Sequence, residues 1–473
     1  MVILTKTKRS GIIGNPIMHG GKVNEMNAKY NNKDGFYPHY IKRVDENFYL
    51  YNVITNGIFL LEQQEYDILI SDTRIEDIQN DDIKKFLEDN FIIITEENKK
   101  YLEKLYQKAV LKKKSMNATS LTLMISQACN LRCKYCYGDG GEYSNMGYMT
   151  YEVAKNAVDF FVSNTEEQKL NICFFGGEPL LNFELIKKVV EYAANIGKMN
   201  NREFTYSMTT NATLITPEIE QFIKENKFSV TVSMDGTRRT NDANRYYANK
   251  IGAYNDINSK TVNLKNNITV RATVAPPNLD VDENLKHIIE DLKYKRVAWA
   301  EADNLLSGLD YEILCEFTMK LYDRLEKMIK DGNIKEVKKY HSFINILKKF
   351  NHDGIRSKGC GSGTNMMAVD IDGKIYPCHR FVGLDEAVLG NVSCREITNT
   401  EFYSQVELSK FEKCKTCLAR SVCGGGCINE NYFASGYINE PSENHCKFRV
   451  KTVDRLLELF IHMSEEEKKL LLE

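Results

Sequence analysis

Three cysteines, Cys129, Cys133 and Cys136, stand at C-x3-C-x2-C spacing in the run SQACNLRCKYCYGDGG, with Tyr135 directly before the last. Three thiols this close lie on one loop, and the rest of the chain has to fold around whatever they hold. Structural zinc takes four protein ligands, and catalytic zinc three plus water, commonly including histidine. No histidine lies in this run. Thiolates packed this tightly suit an iron–sulfur cluster, which is bound through cysteine sulfur. Three ligands on a four-iron cube leave one iron open, where a substrate or cofactor can chelate.

Composition narrows the function classes. The chain has 473 residues, 42% of them hydrophobic, enough for several domains with buried cores. A formal net charge of -2 gives no footing for nucleic-acid or membrane binding as the main activity. No stretch approaches the roughly 18 uninterrupted apolar residues of a transmembrane helix. The opening MVILTKTKRSGIIGNPIMHGG is basic, but its apolar runs are too short for a secretory signal. Thirteen cysteines without an export signal point to metal binding in a reducing cytoplasm rather than a disulfide framework.

The pattern along the chain divides it. Residues 1–35 read as an irregular N-terminal arm. Residues 36–105 hold two or three short alternating runs broken at Asp45-Glu46-Asn47 and Asn56-Gly57, a hairpin signal. A short helix QQEYDILI follows, then helical spacing of Ile75, Ile78, Ile83, Phe86 and Leu87, then a strand FIIIT. Residues 106–118 form a lysine-rich linker. Between 119 and 308, six strand-like runs alternate with helical patterns: LTLMISQA, NICFFGGEP, EFTYSMTTN, FSVTVSMDG, NITVRATVAP and VAWAEADN. That alternation predicts an α/β fold with a parallel sheet. Residues 246–266 are polar and are read as a cover over the substrate groove. Two amphipathic helices bridge 309–355, and the cysteine-rich end spans 356–473. Cys173 and Cys315 fall on core patterns, while His341 and His352 read as surface.

The run CNLRCKYCY resembles the cluster motif of the radical S-adenosylmethionine (SAM) superfamily. The resemblance implies a partial (β/α)6 barrel with its chemistry at the carboxyl ends of the strands, where every motif here falls. It also implies that the open iron binds SAM, whose reductive cleavage yields a 5′-deoxyadenosyl radical. Gly176-Gly177-Glu178-Pro179 is similar to the family motif at the SAM amino group. Asn211 stands where the family has TNG. The run SMDGTRRTNDANR resembles a signature of SAM-dependent peptide maturases, with Ser233 toward the ribose and Arg245 toward the SAM carboxylate. Asn241 replaces the usual histidine. Asp235, Asp242 and Arg271 either line the same pocket or form structural ion pairs.

Farther on, Cys360, Gly373, Cys378, Cys414, Cys417, Cys423, Cys427 and Cys446 match the SPASM pattern position for position. That resemblance implies two auxiliary [4Fe–4S] clusters. One is held by Cys360, Cys378 and Cys427 with an open iron site, the other by Cys414, Cys417, Cys423 and Cys446. A zinc ribbon is the alternative for the run from Cys414 to Cys427. Cys394 is either a bystander or fills the open site. The 36–105 segment resembles a winged, PqqD-like module that takes a peptide leader as an extra strand; a generic α+β cap is the alternative. The whole layout is similar to ranthipeptide maturases, which join cysteine sulfur to carbon. Making C–S from C–H and S–H is a two-electron oxidation, and the SAM step handles one, so an acceptor beside the substrate is needed. The resemblance therefore implies three [4Fe–4S] clusters, SAM, a precursor peptide and a flavodoxin- or ferredoxin-type reductant. Sactipeptide synthases, anaerobic sulfatase-maturing enzymes and a plain iron–sulfur electron carrier are the competing readings.

Overall fold

The computed structural model describes residues 28–31, 34–114, 118–351, 354–394, 396–399 and 406–473. Most of the expected N-terminal arm, and His352, lie outside these residues.

Fifteen strands occur among the described residues. The first four, β1 (Ala28–Asn31), β2 (His39–Val44), β3 (Asn47–Asn52) and β4 (Ile58–Leu61), form an antiparallel meander. The expected breaks hold: Asp45 and Asn56 take positive φ in the two turns. Two expectations fail here. β1 lies in the segment read as irregular and pairs with β2, Ala28 opposite Lys42. FIIIT forms no strand, only an isolated bridge from Ile93 to Phe36. Its amides are used elsewhere, since the N–H groups of Ile92 and Ile93 both bond back to the Leu87 carbonyl and close the helix Asp81–Asp89. Asn80 starts that helix by accepting from the N–H groups of Asp82 and Ile83, so the apolar spacing from Ile75 is interrupted. The helix Glu96–Lys114 then leads toward the barrel.

The centre is a parallel sheet in which chain order equals spatial order: β5 (Ser120–Gln127), β7 (Lys169–Gly176), β8 (Glu203–Thr210), β9 (Ser229–Ser233), β10 (Ile268–Val274) and β11 (Val297–Glu301). A short β6 (Gly147–Tyr148) adds antiparallel to the end of β5. All six expected strands are present, and the α/β class read from the sequence is the observed one. The outer face of the sheet packs on helices: Val230, Val232, Val270 and Ala272 share one core with Ile186, Val189, Ile219, Ile223 and Ile257. The alternating neighbours Thr231, Ser233, Arg271 and Thr273 therefore occupy the inner face. Cys173 belongs to that inner, partly polar face of β7 rather than to the apolar core expected for it.

The sheet does not stop at β5. β12 (Met366–Val369) pairs parallel with it, Met366 opposite Ser120, and β13 (Lys374–Tyr376), β14 (Gly390–Asn391) and β15 (Glu396–Ile397) extend it antiparallel. The cysteine-rich end is thus a continuation of the barrel sheet. The N-terminal meander also docks on this end. Lys42, 1% exposed, lies 2.8 Å from Asp454 and 3.3 Å from Glu458, and Ser421 donates to the Val53 carbonyl at 2.8 Å. No helix among the described residues is long and apolar enough to cross a membrane.

Candidate active site and metal centres

Cys129, Cys133 and Cys136 follow the carboxyl end of β5 on one loop. Asn244 and the start of the 246–266 segment clamp this loop. Arg132 N–H donates to the Tyr246 carbonyl at 2.7 Å, Lys134 N–H to the Asn244 carbonyl at 3.0 Å, and Leu131 bridges Tyr247. Burial, with Glu178 and the neighbouring thiols behind it, pushes the Cys129 thiol up to about 12. Burial likewise raises Cys133 to about 11, Arg245 pulling the other way. Cys129 and Cys133 therefore keep their protons until a metal displaces them.

The glycines at the end of β7 fit against this loop. A Cβ on Gly176 would stand 2.0 Å from the Ser126 carbonyl oxygen, and one on Gly177 2.3 Å from that of Ala128. The close approach is therefore to the cysteine loop's own backbone, which the Gly177 and Glu178 N–H groups grip at 2.7 and 2.9 Å. Glu178 is fully buried, and its carboxylate accepts from Leu180 N–H (3.0 Å), the Thr210 hydroxyl (2.7 Å) and Asn211 N–H (2.7 Å). It ties the end of β7 to the end of β8 while Pro179 opens a short helix behind it. Asn211 in turn donates to Asn130 Oδ1 at 2.9 Å and reaches Cys129 Sγ at 3.8 Å.

Burial raises the Glu178 carboxyl from 4.5 to about 7 against those three donors. Because the folded value exceeds the unfolded one, the folded chain holds a proton that the unfolded chain has released. That contribution to stability is complete below about pH 4.5 and is lost as pH rises through about 7. Glu178→Gln is expected to flatten the fall of melting temperature from about pH 5.5 to about 8, measured anaerobically on holoenzyme.

The β9 motif builds a buried knot. Asp235, 0% exposed, accepts from Arg245 Nε at 3.1 Å, from Thr273 N–H at 3.1 Å and from the Tyr135 hydroxyl at 2.5 Å. The Arg245 guanidinium lies 5.1 Å from the Tyr135 ring centre, with Nη1 4.0 Å from Cys133 Sγ. Burial opposes the charge on Arg245, yet Asp235, Tyr135 and Cys133 together raise its pKa above the ordinary value. The knot thus pins the aromatic residue between Cys133 and Cys136. Ser233 ends β9 opposite Arg271 on β10. Asn241, fully buried, accepts from Asp235 N–H at 3.2 Å, which is the work done at this position in place of the usual histidine. Arg245→Met leaves Asp235 buried without its counter-ion and is expected to cost about 3–5 kcal/mol in denaturant unfolding. Adding Asp235→Asn should return part of that loss.

The seven later cysteines fall into two groups, and their strongest mutual electrostatic effects run within each. After burial, Cys378 is raised to about 12 by Cys427 and Cys360 among its neighbours. Cys414 is raised to about 12 by burial, then by Cys423, Cys417 and Cys446. Three successive glycines with positive φ, Gly424 to Gly426, turn the chain between Cys423 of one group and Cys427 of the other. Cys423 differs from the rest. Burial would raise it, but the contacts to His445 and the charge of Arg449 bring it down to about 7. Cys394 is exposed in the turn after β14. Among the described residues, no three His, Cys, Asp or Glu side chains close on a position for a single metal ion. Groups of three and four soft thiolates fit iron–sulfur cubes by donor type.

Around the barrel mouth stand Arg271, expected from the sequence, and Tyr137, His379 and Arg380, which carry no motif. Tyr137 feels both Cys378 and Cys136, and its ring lies 4.7 Å from the Arg380 guanidinium. Arg271 is water-accessible yet deep: burial lowers its pKa, Arg380 adds to that, and Glu301, Tyr137 and Cys427 oppose it. Burial, then Arg380 and Arg271, push His379 down to about 3, and its ring stands 4.3 Å from that of Phe175. Arg380 pairs with Glu430, and Arg449 with Glu301. Adjacency to a ligand is the sequence signal for Tyr137, after Cys136, and for His379 and Arg380, after Cys378.

The profile of the radical SAM superfamily matches residues 123–292, and that of SPASM, an iron–sulfur cluster-binding domain, matches 360–418. An uncharacterized protein of Methanocaldococcus jannaschii is 32% identical over 305 residues, 63% of this chain and 94% of the relative. The chain belongs to the radical SAM superfamily. As a radical SAM protein with a SPASM domain, it is an enzyme that uses SAM and iron–sulfur clusters. A cysteine-type anaerobic sulfatase-maturating enzyme of Clostridium novyi is 27% identical over 340 residues, 65% of this chain and 88% of the relative. The radical SAM cyclopropyl synthase TigE of Paramaledivibacter caminithermalis is 22% identical over 468 residues, 89% and 95% of the two chains. The fold is shared with native anSMEcpe solved with bound AdoMet and the Cp18Cys peptide: TM-score 0.61, 23% identity, 72% of this chain and 97% of that one.

Proposed function

We propose that this radical SAM enzyme matures a ribosomally made precursor peptide, joining a cysteine sulfur to a carbon of another residue. The observation that carries the reading is Tyr137, which directly follows Cys136 of the first cysteine group and whose ring stands 6.3 Å from that of His379, the neighbour of Cys378 in the second. The two groups thus border one mouth, with Arg271 and Arg380 beside it. SAM bound at a cluster on Cys129, Cys133 and Cys136 supplies the radical that takes hydrogen from a carbon. Gly176, Gly177, Glu178, Pro179, Asn211, Ser233, Asp235 and Arg245 frame that site and set SAM's position. Cys360, Cys378 and Cys427 would hold an auxiliary cluster through three thiolates, and that cluster would supply an electron acceptor beside the substrate. Cys414, Cys417, Cys423 and Cys446 hold the other auxiliary cluster. Fixing sulfur and carbon side by side supplies the near-attack arrangement.

The N-terminal module is the leader site in this reading. β4 pairs with β3 on one side only among the described residues, so its other edge is open to a peptide strand. The likeness to TigE covers 89% of the chain, whereas that to the sulfatase-maturating relative covers 65%. A flavodoxin- or ferredoxin-type protein serves as reductant, in the cytoplasm.

Conversion of cysteine to formylglycine is the second reading, favoured by the 27% identity to a sulfatase-maturating enzyme. Anaerobic co-expression with a short cysteine-rich peptide encoded beside the gene separates the readings by mass spectrometry. A thioether removes two hydrogens per ring and one alkylatable thiol. Formylglycine also removes the sulfur, and a carbon–carbon ring removes two hydrogens but leaves every thiol free. Unchanged peptide mass from an enzyme that cleaves SAM would contradict all three.

A further inference from the structure

Barrel and cysteine-rich domain meet at a largely buried row of side chains in which only Cys423 has an assigned role. The Tyr311 hydroxyl donates to Asp303 Oδ1 at 2.5 Å. Asp303 Oδ2 lies 2.9 Å from His445 Nδ1, and His445 Nε2 lies 3.9 Å from Cys423 Sγ. The other three members of the row come from separate segments: the short helix Asp303–Leu305 after β11, the helix Gly308–Lys330, and the first turn of the helix Glu443–His462. Ser442 caps that last helix by accepting from His445 N–H at 3.3 Å, which fixes where the imidazole starts. His445 is 5% exposed. A Cβ on Gly426 would stand 3.2 Å from Nε2, so the glycine turn leaves just enough room for the ring.

We propose that His445 is a positioning residue for the auxiliary cluster on Cys414, Cys417, Cys423 and Cys446: gripped by Asp303, it donates a hydrogen bond from Nε2 to the Cys423 thiolate and raises that cluster's reduction potential. This rests on the reading that those four cysteines hold a [4Fe–4S] cluster. The Asp303 carboxylate lies against Nδ1 and the Cys423 sulfur against Nε2, so each ring nitrogen faces an acceptor. A hydrogen bond to a cluster sulfur withdraws charge from it and favours the form with one more electron. Arg449, one helical turn on and paired with Glu301 Oε2 at 2.5 Å, places a cation on the same side. The row thereby prepares this cluster to take up the electron that carbon–sulfur bond formation releases.

Redox titration followed by electron paramagnetic resonance tests the inference on full-length, reconstituted protein carrying Cys129→Ala, Cys133→Ala and Cys136→Ala, which leaves only auxiliary signals. His445→Phe is expected to disfavour reduction of one auxiliary cluster about tenfold, a midpoint about 59 mV lower for one electron, and to leave the other unmoved. His445→Gln, which keeps an N–H donor, should restore part of the shift, and Asp303→Asn should shift the same cluster in the same direction by less. Unmoved midpoints in His445→Phe at full iron content would reduce His445 to a tie between domains and overturn the inference. Iron for only one auxiliary cluster in the parent protein would overturn the ligand assignment on which it stands. Should His445→Phe lose its cluster, His445→Gln and Asp303→Asn decide the matter.

Discussion

Alanine at Cys129, Cys133 and Cys136 together is expected to bring 5′-deoxyadenosine formation down to the enzyme-free background and to lower bound iron by about four per chain. Each thiol lies on a loop held by backbone bonds from Asn244 and Tyr246, by the glycines of β7 and by the Tyr135–Asp235–Arg245 knot. None of those supports uses a cysteine side chain, so the loop should survive the substitution. The auxiliary groups sit on separate segments and should keep their iron. Liquid chromatography of the SAM products with a parallel iron assay checks both halves.

Gly177→Ala should be nearly as damaging without removing a ligand. The new Cβ would stand 2.3 Å from the Ala128 carbonyl oxygen and 2.9 Å from Gly141 Cα, backbone on two sides that cannot swing away like a side chain. Overpacking of this kind typically costs about 1–3 kcal/mol. Here the strain falls on the cysteine loop, so the expected result is a folded protein that has lost its first cluster and its SAM cleavage. Gly436→Ala makes the steric control, since a Cβ there meets nothing within 4 Å. Its positive φ, 82°, restricts the comparison to iron content and cleavage rather than stability.

What could be read in the sequence was what is local in it. The spacing of Cys129, Cys133 and Cys136 is local chemistry, and the six core strands announce themselves by alternation over four to eight residues. The glycines of β7 were legible as a close approach, but not what they approach, because Ser126 and Ala128 lie about 50 residues away. Tyr135, Asp235 and Arg245 read as three separate motif positions; that they form one buried ion-paired knot depends on β9 returning beside the cysteine loop. β12 is four residues of a short apolar run, and its partners β5 and β13 make it a strand. FIIIT has strong strand propensity, but the carbonyl of Leu87 competes for its amides and wins. Arg271 is legible only as a strand residue near the expected pocket, and His379 and His445 carry no pattern at all. Their roles arise from what the fold brings beside them.

The most direct measurement is the iron and sulfide content of protein purified and reconstituted without oxygen. Ten thiols in groups of three, three and four predict about twelve iron and about twelve sulfide per chain, together with 5′-deoxyadenosine when SAM and dithionite are added. Bound zinc in their place, or iron for a single cube, would contradict the account.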